Sequence, residues 1–174
     1  MKKLEEYVRT IPDFPKEGIM FRDITTILQD ADGFHMAVDE LIKLAEDVDF
    51  DVVVGLEARG FIFGAPMAYA MNKEFALIRK QGKLPYETIS QDCELQYGKA
   101  TIEIQTDSVK PGQKVVLVDD LIATGGTLAA SVSLVERLGG EVAAILCLME
   151  LKGLKGRDIL SGYDVRSVIS FDGK

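Results

Sequence analysis

The 174-residue chain carries 28 acidic against 20 basic residues, a net charge of −8, with 47% hydrophobic and 28% charged residues. These values fit one globular domain spanning residues 1–174, and the acidic balance excludes the basic stripe of a nucleic-acid-binding surface. No apolar run reaches membrane-spanning length, no apolar leader opens the chain, and Cys93 and Cys147 make neither a CxxC motif nor a disulfide framework; the expectation is no membrane and no nucleic-acid partner, in a reducing cytoplasm. Cys147 lies in the apolar run 143–149 and reads as a core residue, whereas Cys93 sits among polar residues.

In chain order, Leu4, Tyr7 and Val8 at helical spacing predict a short amphipathic helix over Lys2 to Thr10. Two prolines and Gly18 break it before the apolar stretch Ile19 to Thr25, which carries Arg22 and Asp23 in its middle. Phe34, Val38, Leu41, Ile42 and Ala45 share one face of a helix from Gly33 to Asp47. His35, the one histidine, reads as a surface residue, so no histidine-based acid–base or metal chemistry is available. Asp51 to Leu56 is a buried strand running into Glu57-Ala58-Arg59-Gly60-Phe61 and an apolar helix, Ile62 to Met71. The spacing Gly55 to Gly60 lacks the Lys-Ser/Thr ending of a nucleotide-hydrolysing loop. Phe75 to Ile78 is a third strand, closed by Arg79, Lys80 and Lys83, cations able to attract a polyphosphate. Residues 87–91 and 100–105 alternate as strands and bracket Gly98, which predicts a long hairpin.

Pro111-Gly112 turns the chain into Val115-Val116-Leu117-Val118, a strand buried on both faces and ended by Asp119 and Asp120. Leu121 and Ile122 lead to Ala123-Thr124-Gly125-Gly126-Thr127 and a helix, Leu128 to Leu138. Two glycines leave the turn's amides unshielded, and the helix dipole favours an anion, so the turn suits a phosphate. Asp119 and Asp120 would repel that phosphate; they suit ribose hydroxyls or a developing positive charge. Val142 to Met149 is another buried strand, Leu154 to Leu160 a weak helical segment and Tyr163 to Phe171 a last strand. The alternation predicts an α/β fold: an open, mostly parallel twisted sheet flanked by helices.

The stretch Val115 to Thr127 resembles the phosphoribosyl pyrophosphate signature of type I phosphoribosyltransferases, and the resemblance runs from Pro12 through the final strand. Pro12-Asp-Phe-Pro15, Gly18-Ile19 and Phe21-Arg-Asp-Ile-Thr25 resemble the N-terminal hood of the adenine-specific members. That likeness implies a base-covering hood over 1–30, with Met20 packing on the purine against Leu121, and Phe21 and Arg22 reading its edge. It further implies an active-site loop over 84–107 that is mobile and brings Gln96 and Tyr97 to the reaction centre. Many relatives carry glutamate where this chain has Gln96. Carried over, Ala123 to Thr127 hold the 5′-phosphate, Asp119 and Asp120 the ribose, and Arg59 with Arg79, Lys80 and Lys83 the pyrophosphate. Lys83 would come from a partner subunit of a homodimer. Mg²⁺ would arrive with phosphoribosyl pyrophosphate, without a dedicated protein site. The implied reaction joins adenine to phosphoribosyl pyrophosphate; the alternatives are another purine, hypoxanthine or xanthine, or a regulator that senses phosphoribosyl pyrophosphate.

Overall fold

The structure, a computed structural model that describes residues 1–173, departs from the sequence expectation first at the N-terminus. Leu4–Tyr7 form only a 3₁₀ turn, and the chain then extends as β1 (Arg9–Pro12), paired antiparallel with β2 (Met20–Asp23). Arg-Thr-Ile-Pro has no helical stripe to bury, and Pro12 cannot donate within a helix. Leu4 and Tyr7, which suggested the helix, are nevertheless buried in the core. A short helix, α1 (Thr25–Leu28), leads to α2 (Ala31–Ala45), whose Asp30 N-cap accepts the Gly33 N–H at 3.0 Å.

The rest alternates largely as anticipated: β3 (Val52–Leu56), α3 (Arg59–Met71), β4 (Glu74–Lys80), then the hairpin β5 (Thr88–Leu95) and β6 (Gly98–Gln105). β7 (Lys114–Ile122), α4 (Gly126–Arg137), β8 (Glu141–Leu151) and β9 (Val165–Phe171) complete it. The expected helical segment at 154–160 is two separate 3₁₀ turns, Lys152–Leu154 and Asp158–Leu160, because the chain turns left-handed at Lys155 (φ +53°) and Gly156 follows. One seven-stranded sheet runs β5-β6-β4-β3-β7-β8-β9, parallel from β4 to β9, with the hairpin added antiparallel at one edge.

Side-chain alternation divides the core. Val52, Val54, Val115 and Leu117 pack with α4 on one face, together with Cys93 and Ile104 of the hairpin. Val53, Val116 and Val118 pack with α2 and α3 on the other. Cys93 is therefore a core residue at 4% exposure, contrary to its polar sequence neighbourhood. In a strand, alternate positions face opposite sides, and local polarity cannot report which side is covered.

Candidate active site

β3 and β4 build the sheet outward in one direction from its centre, and β7, β8 and β9 in the other. The reversal lies between β3 and β7, and such a switch point opens a crevice at the C-terminal strand ends. The β3–β7 ladder stops at Gly55–Val118, while β7 stays paired with β8 as far as Ile122–Glu150. The strand thus runs through Asp119 and Asp120 instead of ending at them, since its β8 edge holds it extended. Its β3 edge is unpaired beyond Val118, and there Asp119 faces the cleft while Asp120, on the opposite face of the strand, is buried against Arg59.

The turn that follows is built by close approach. Gly125 has φ +85°, and a Cβ on it would lie 2.5 Å from the Gly156 carbonyl oxygen; a Cβ on Gly156 would lie 2.5 Å from that of Ala123. The loop after β8 thereby buttresses the turn from below, held by Arg157, whose guanidinium binds both carboxylate oxygens of Glu150 at 2.8 and 2.9 Å. α4 begins at Gly126 with no side chain capping its first turn, which leaves amide donors free for an anion. A cleft of about 130 Å³ is lined by Asp119, Leu121, Ala123, Thr124, Gly125, Gly126, Thr127 and Leu128, with Leu95 and Gln96 from the hairpin. A neighbouring cavity of about 110 Å³ shares Leu95 and Thr127, and Glu57, Arg79 and Lys80 line it. A larger hollow, about 930 Å³ between the N-terminus, α2 and β9, contains none of these groups.

The charges are not equally satisfied. Arg59, the first residue of α3, places Nε 2.7 Å from Asp120 Oδ2. Burial, then the adjoining Asp120 charge, pushes the Asp119 carboxyl well above the ordinary range, beyond what the Asp120 N–H and Arg59 can offset. Glu57 differs: burial would raise it, but the Lys80 N–H at 2.8 Å and the Arg79 guanidinium at 3.2 and 3.3 Å outweigh that and hold it low. Arg79 is consequently engaged by Glu57, and also donates to the Lys83 carbonyl at 3.3 Å. Lys83 is exposed and lines neither cavity.

The hairpin is longer and tighter than its sequence suggested. β5 and β6 pair through Leu95–Gly98, leaving only Gln96 and Tyr97 in the turn. Gln96 therefore does not continue the strand that carries Glu94, and the two do not share a strand face. The Glu94 carbonyl instead lies against Gly126, where a side chain would have no room. Ser133 Oγ donates to Gln91 Oε1 at 3.0 Å and Arg137 to the Ser90 carbonyl at 2.7 Å, tying β5 to α4. In the hood, Met20 stands 44% exposed, Phe21 packs edge-on against Phe14 at 5.1 Å, and Arg22 lies over the Phe171 ring and donates to Thr10 Oγ1 at 2.5 Å. Met20 does not line the cleft that contains Leu121. Asp23 anchors the hood to Arg9 and Thr25, and those hydrogen bonds hold its carboxyl below the usual range.

The family model described as phosphoribosyl transferase domain matches residues 25–172. The chain belongs to the phosphoribosyltransferase family. It is 62% identical to an adenine phosphoribosyltransferase of Agathobacter rectalis, with 100% of each chain covered. A solved adenine phosphoribosyltransferase of Thermoanaerobacter pseudethanolicus superposes with TM-score 0.93 at 52% identity, covering 97% of this chain and 100% of that one. The Saccharomyces cerevisiae enzyme, solved with an imino-altritol bisphosphate and adenine, gives 0.88 at 38%, covering 95% and 96%. Within this phosphoribosyltransferase, sequence reasoning quoted Glu57 without giving it a role, and missed the Arg9–Asp23 anchor and the Glu94–Gly126 approach. Glu57 and Arg79 are 22 residues apart, so only the β3–β4 register brings them together. Gly60 was equally silent: a Cβ there would lie 2.7 Å from the Val118 carbonyl oxygen.

Proposed function

We infer that the chain is an adenine phosphoribosyltransferase: adenine and phosphoribosyl pyrophosphate give AMP and pyrophosphate. The observation that carries this is the cleft at the sheet's switch point, where Asp119, with Asp120 and its Arg59 partner alongside, meets an uncapped helix N-terminus in a chain matching adenine-specific relatives over its full length. The amides and hydroxyls of Ala123 to Thr127 hold the 5′-phosphate. Asp119 and Asp120 accept hydrogen bonds from the ribose hydroxyls, and Arg59 with Arg79 and Lys80 faces the leaving group. As the bond from C1 to the pyrophosphate oxygen breaks, positive charge grows on the ribose ring beside these carboxylates, and the N9–C1 bond forms. Leu121 packs on the purine inside the cleft; Met20, which stands outside that cleft, comes over the other face as the β1–β2 segment closes, backbone groups of Phe21 and Arg22 read the base edge, and the hairpin brings Gln96 and Tyr97 over the site to exclude water.

A glutamine amide has no basic state near neutral pH, so Gln96 positions the base and the N9 proton leaves to the pyrophosphate or water. The oxygen donors at the strand end fit a Mg²⁺ held chiefly by substrate phosphates, which is how this cation usually binds. When bound, it would neutralise charge on the leaving group. The working form is a homodimer in which Lys83, exposed beyond the Arg79–Glu57 pair, reaches the partner's pyrophosphate. Two free, buried cysteines suit a cytoplasmic setting.

Competition between adenine and hypoxanthine tests the specificity. A site built around polar base contacts rejects the mismatch by roughly 10⁴-fold; comparable turnover would overturn the assignment. For the dimer, mixing an inactive Asp119/Asp120 variant with an inactive Lys83 variant restores partial activity through hybrids, whereas a monomer in sedimentation at assay concentration contradicts it.

A further inference from the structure

The tip of the hairpin is held from two sides. Towards α4, the Glu94 carbonyl rests on Gly126, and Ser133 and Arg137 of the same helix bind β5. Towards the hood, the Lys16 ammonium sits 4.6 Å from the centre of the Tyr97 ring. Lys16 does not dangle on a free arm. Its loop is closed on itself: the Gly18 N–H donates to the Asp13 carboxylate at 2.8 Å, the Ile19 N–H donates to the Lys16 carbonyl at 3.2 Å, and Phe14 packs on Phe21. The cation is thus presented to the ring from a folded base, while the Tyr97 ring is otherwise largely open to solvent at 54% exposure.

We propose that Lys16 is a positioning residue that latches the hairpin over the active site by holding the Tyr97 ring, so that hood and hairpin close as one lid. The proposal deepens the assignment of the hairpin to the active site and rests on it. An ammonium over an aromatic face is attracted by the ring quadrupole, and at an exposed site it shifts an open–closed ratio by roughly two- to fivefold. A latch of that strength favours the closed, water-excluding state without trapping the nucleotide product. Cys93 belongs to β5 itself: its Sγ lies 3.4 Å from the carbonyl of its cross-strand partner Ala100, its side chain packs with α4 in the core at 4% exposure, and burial raises its thiol. Cys93 also lines the small cavity beside Glu57, Arg79 and Lys80; that cavity of about 110 Å³ is too tight for an aromatic reagent, so labelling of Cys93 follows the lifting of β5 away from α4.

The test is the rate at which a small aromatic disulfide labels Cys93 in the full chain, with the site of labelling read by peptide mass spectrometry. With fast reclosing, that rate follows the open population. Lys16→Met is expected to label roughly two to five times faster than the unaltered protein, at unchanged melting temperature. Lys16→Arg, which keeps a cation for the ring, is expected to label at the original rate. Equal rates for Lys16→Met and the unaltered protein would overturn the latch, and so would Lys16→Arg labelling as fast as Lys16→Met. Saturating phosphoribosyl pyrophosphate with Mg²⁺ is a separate arm: failure to slow labelling of the unaltered protein would count against the active-site assignment and leave the latch standing.

Discussion

Glu57 and Asp119 sit near the C-terminal ends of two neighbouring parallel strands, each ahead of a helix, yet the fold treats their charges in opposite ways. Glu57 receives a backbone N–H and a two-point guanidinium contact, and its carboxyl is held low. Asp119 is half-buried at the cleft beside a second, buried carboxylate and receives one backbone N–H, and desolvation with that neighbouring charge pushes its carboxyl high. A carboxylate satisfied by its own protein serves the protein. One left with unmet demand, at the mouth of a crevice, is available to a ligand that brings hydrogen-bond donors or positive charge. Glu57 therefore reads as the strut that fixes the loop between β3 and α3, and Asp119 as part of the working surface.

Breaking the working side should cost most in activity. Asp120→Ala removes the proposed ribose acceptor and the partner of Arg59, so kcat/KM for AMP formation should fall by on the order of 10²-fold, with the melting temperature little changed. A loss below threefold in steady-state assays would place the ribose elsewhere. Gly126→Ala comes next: its methyl group meets the Glu94 carbonyl, and overpacking of about 1–3 kcal/mol predicts calorimetric AMP affinity lower by roughly 5- to 100-fold. Gly60→Ala sharpens the contrast, because its new methyl meets the β7 backbone at the sheet's centre instead of the edge hairpin. The same strain should there lower the melting temperature by several degrees.

The smallest effect belongs to the strut. Glu57→Gln should leave turnover near normal and destabilise the neutral-pH protein by about 1 kcal/mol, or about 2–4 °C. Because the folded Glu57 carboxyl lies below its unfolded value, its stabilisation is present above that unfolded value and lost as pH falls through the folded one. The deficit of Glu57→Gln should accordingly fade in acid. Thermal melts showing a deficit that grows in acid would contradict the strut.

The strands and the phosphate turn were legible because their signals are local: valine runs, paired acids, and glycines just before a helix. Asp119, Asp120, Leu121, Gln96 and the turn from Ala123 to Thr127 do converge, or lie side by side, at one strand end. What stayed hidden depends on partners distant in sequence. Nothing near Cys93 tells which face of the hairpin α4 covers, and nothing near Lys80 tells that its amide completes the Glu57 site. The N-terminal helix failed for a different reason. Leu4 and Tyr7 have helical spacing, but pairing of Arg9–Pro12 with Met20–Asp23 gave the backbone a better set of hydrogen bonds.

The most direct test of this division of labour is the melting temperature of Asp119→Asn across pH, measured beside its affinity for phosphoribosyl pyrophosphate. Asparagine keeps an oxygen for the Asp120 N–H but removes the charge that burial disfavours. The folded Asp119 carboxyl lies above its unfolded value, so the native state binds the extra proton, and the charge costs stability increasingly as pH rises from about 3.9. The account predicts that Asp119→Asn melts higher than the unaltered protein at pH 7, loses that advantage below about pH 3.9, and binds phosphoribosyl pyrophosphate roughly 10- to 100-fold more weakly. A lower melting temperature at pH 7, or undiminished affinity, would contradict it.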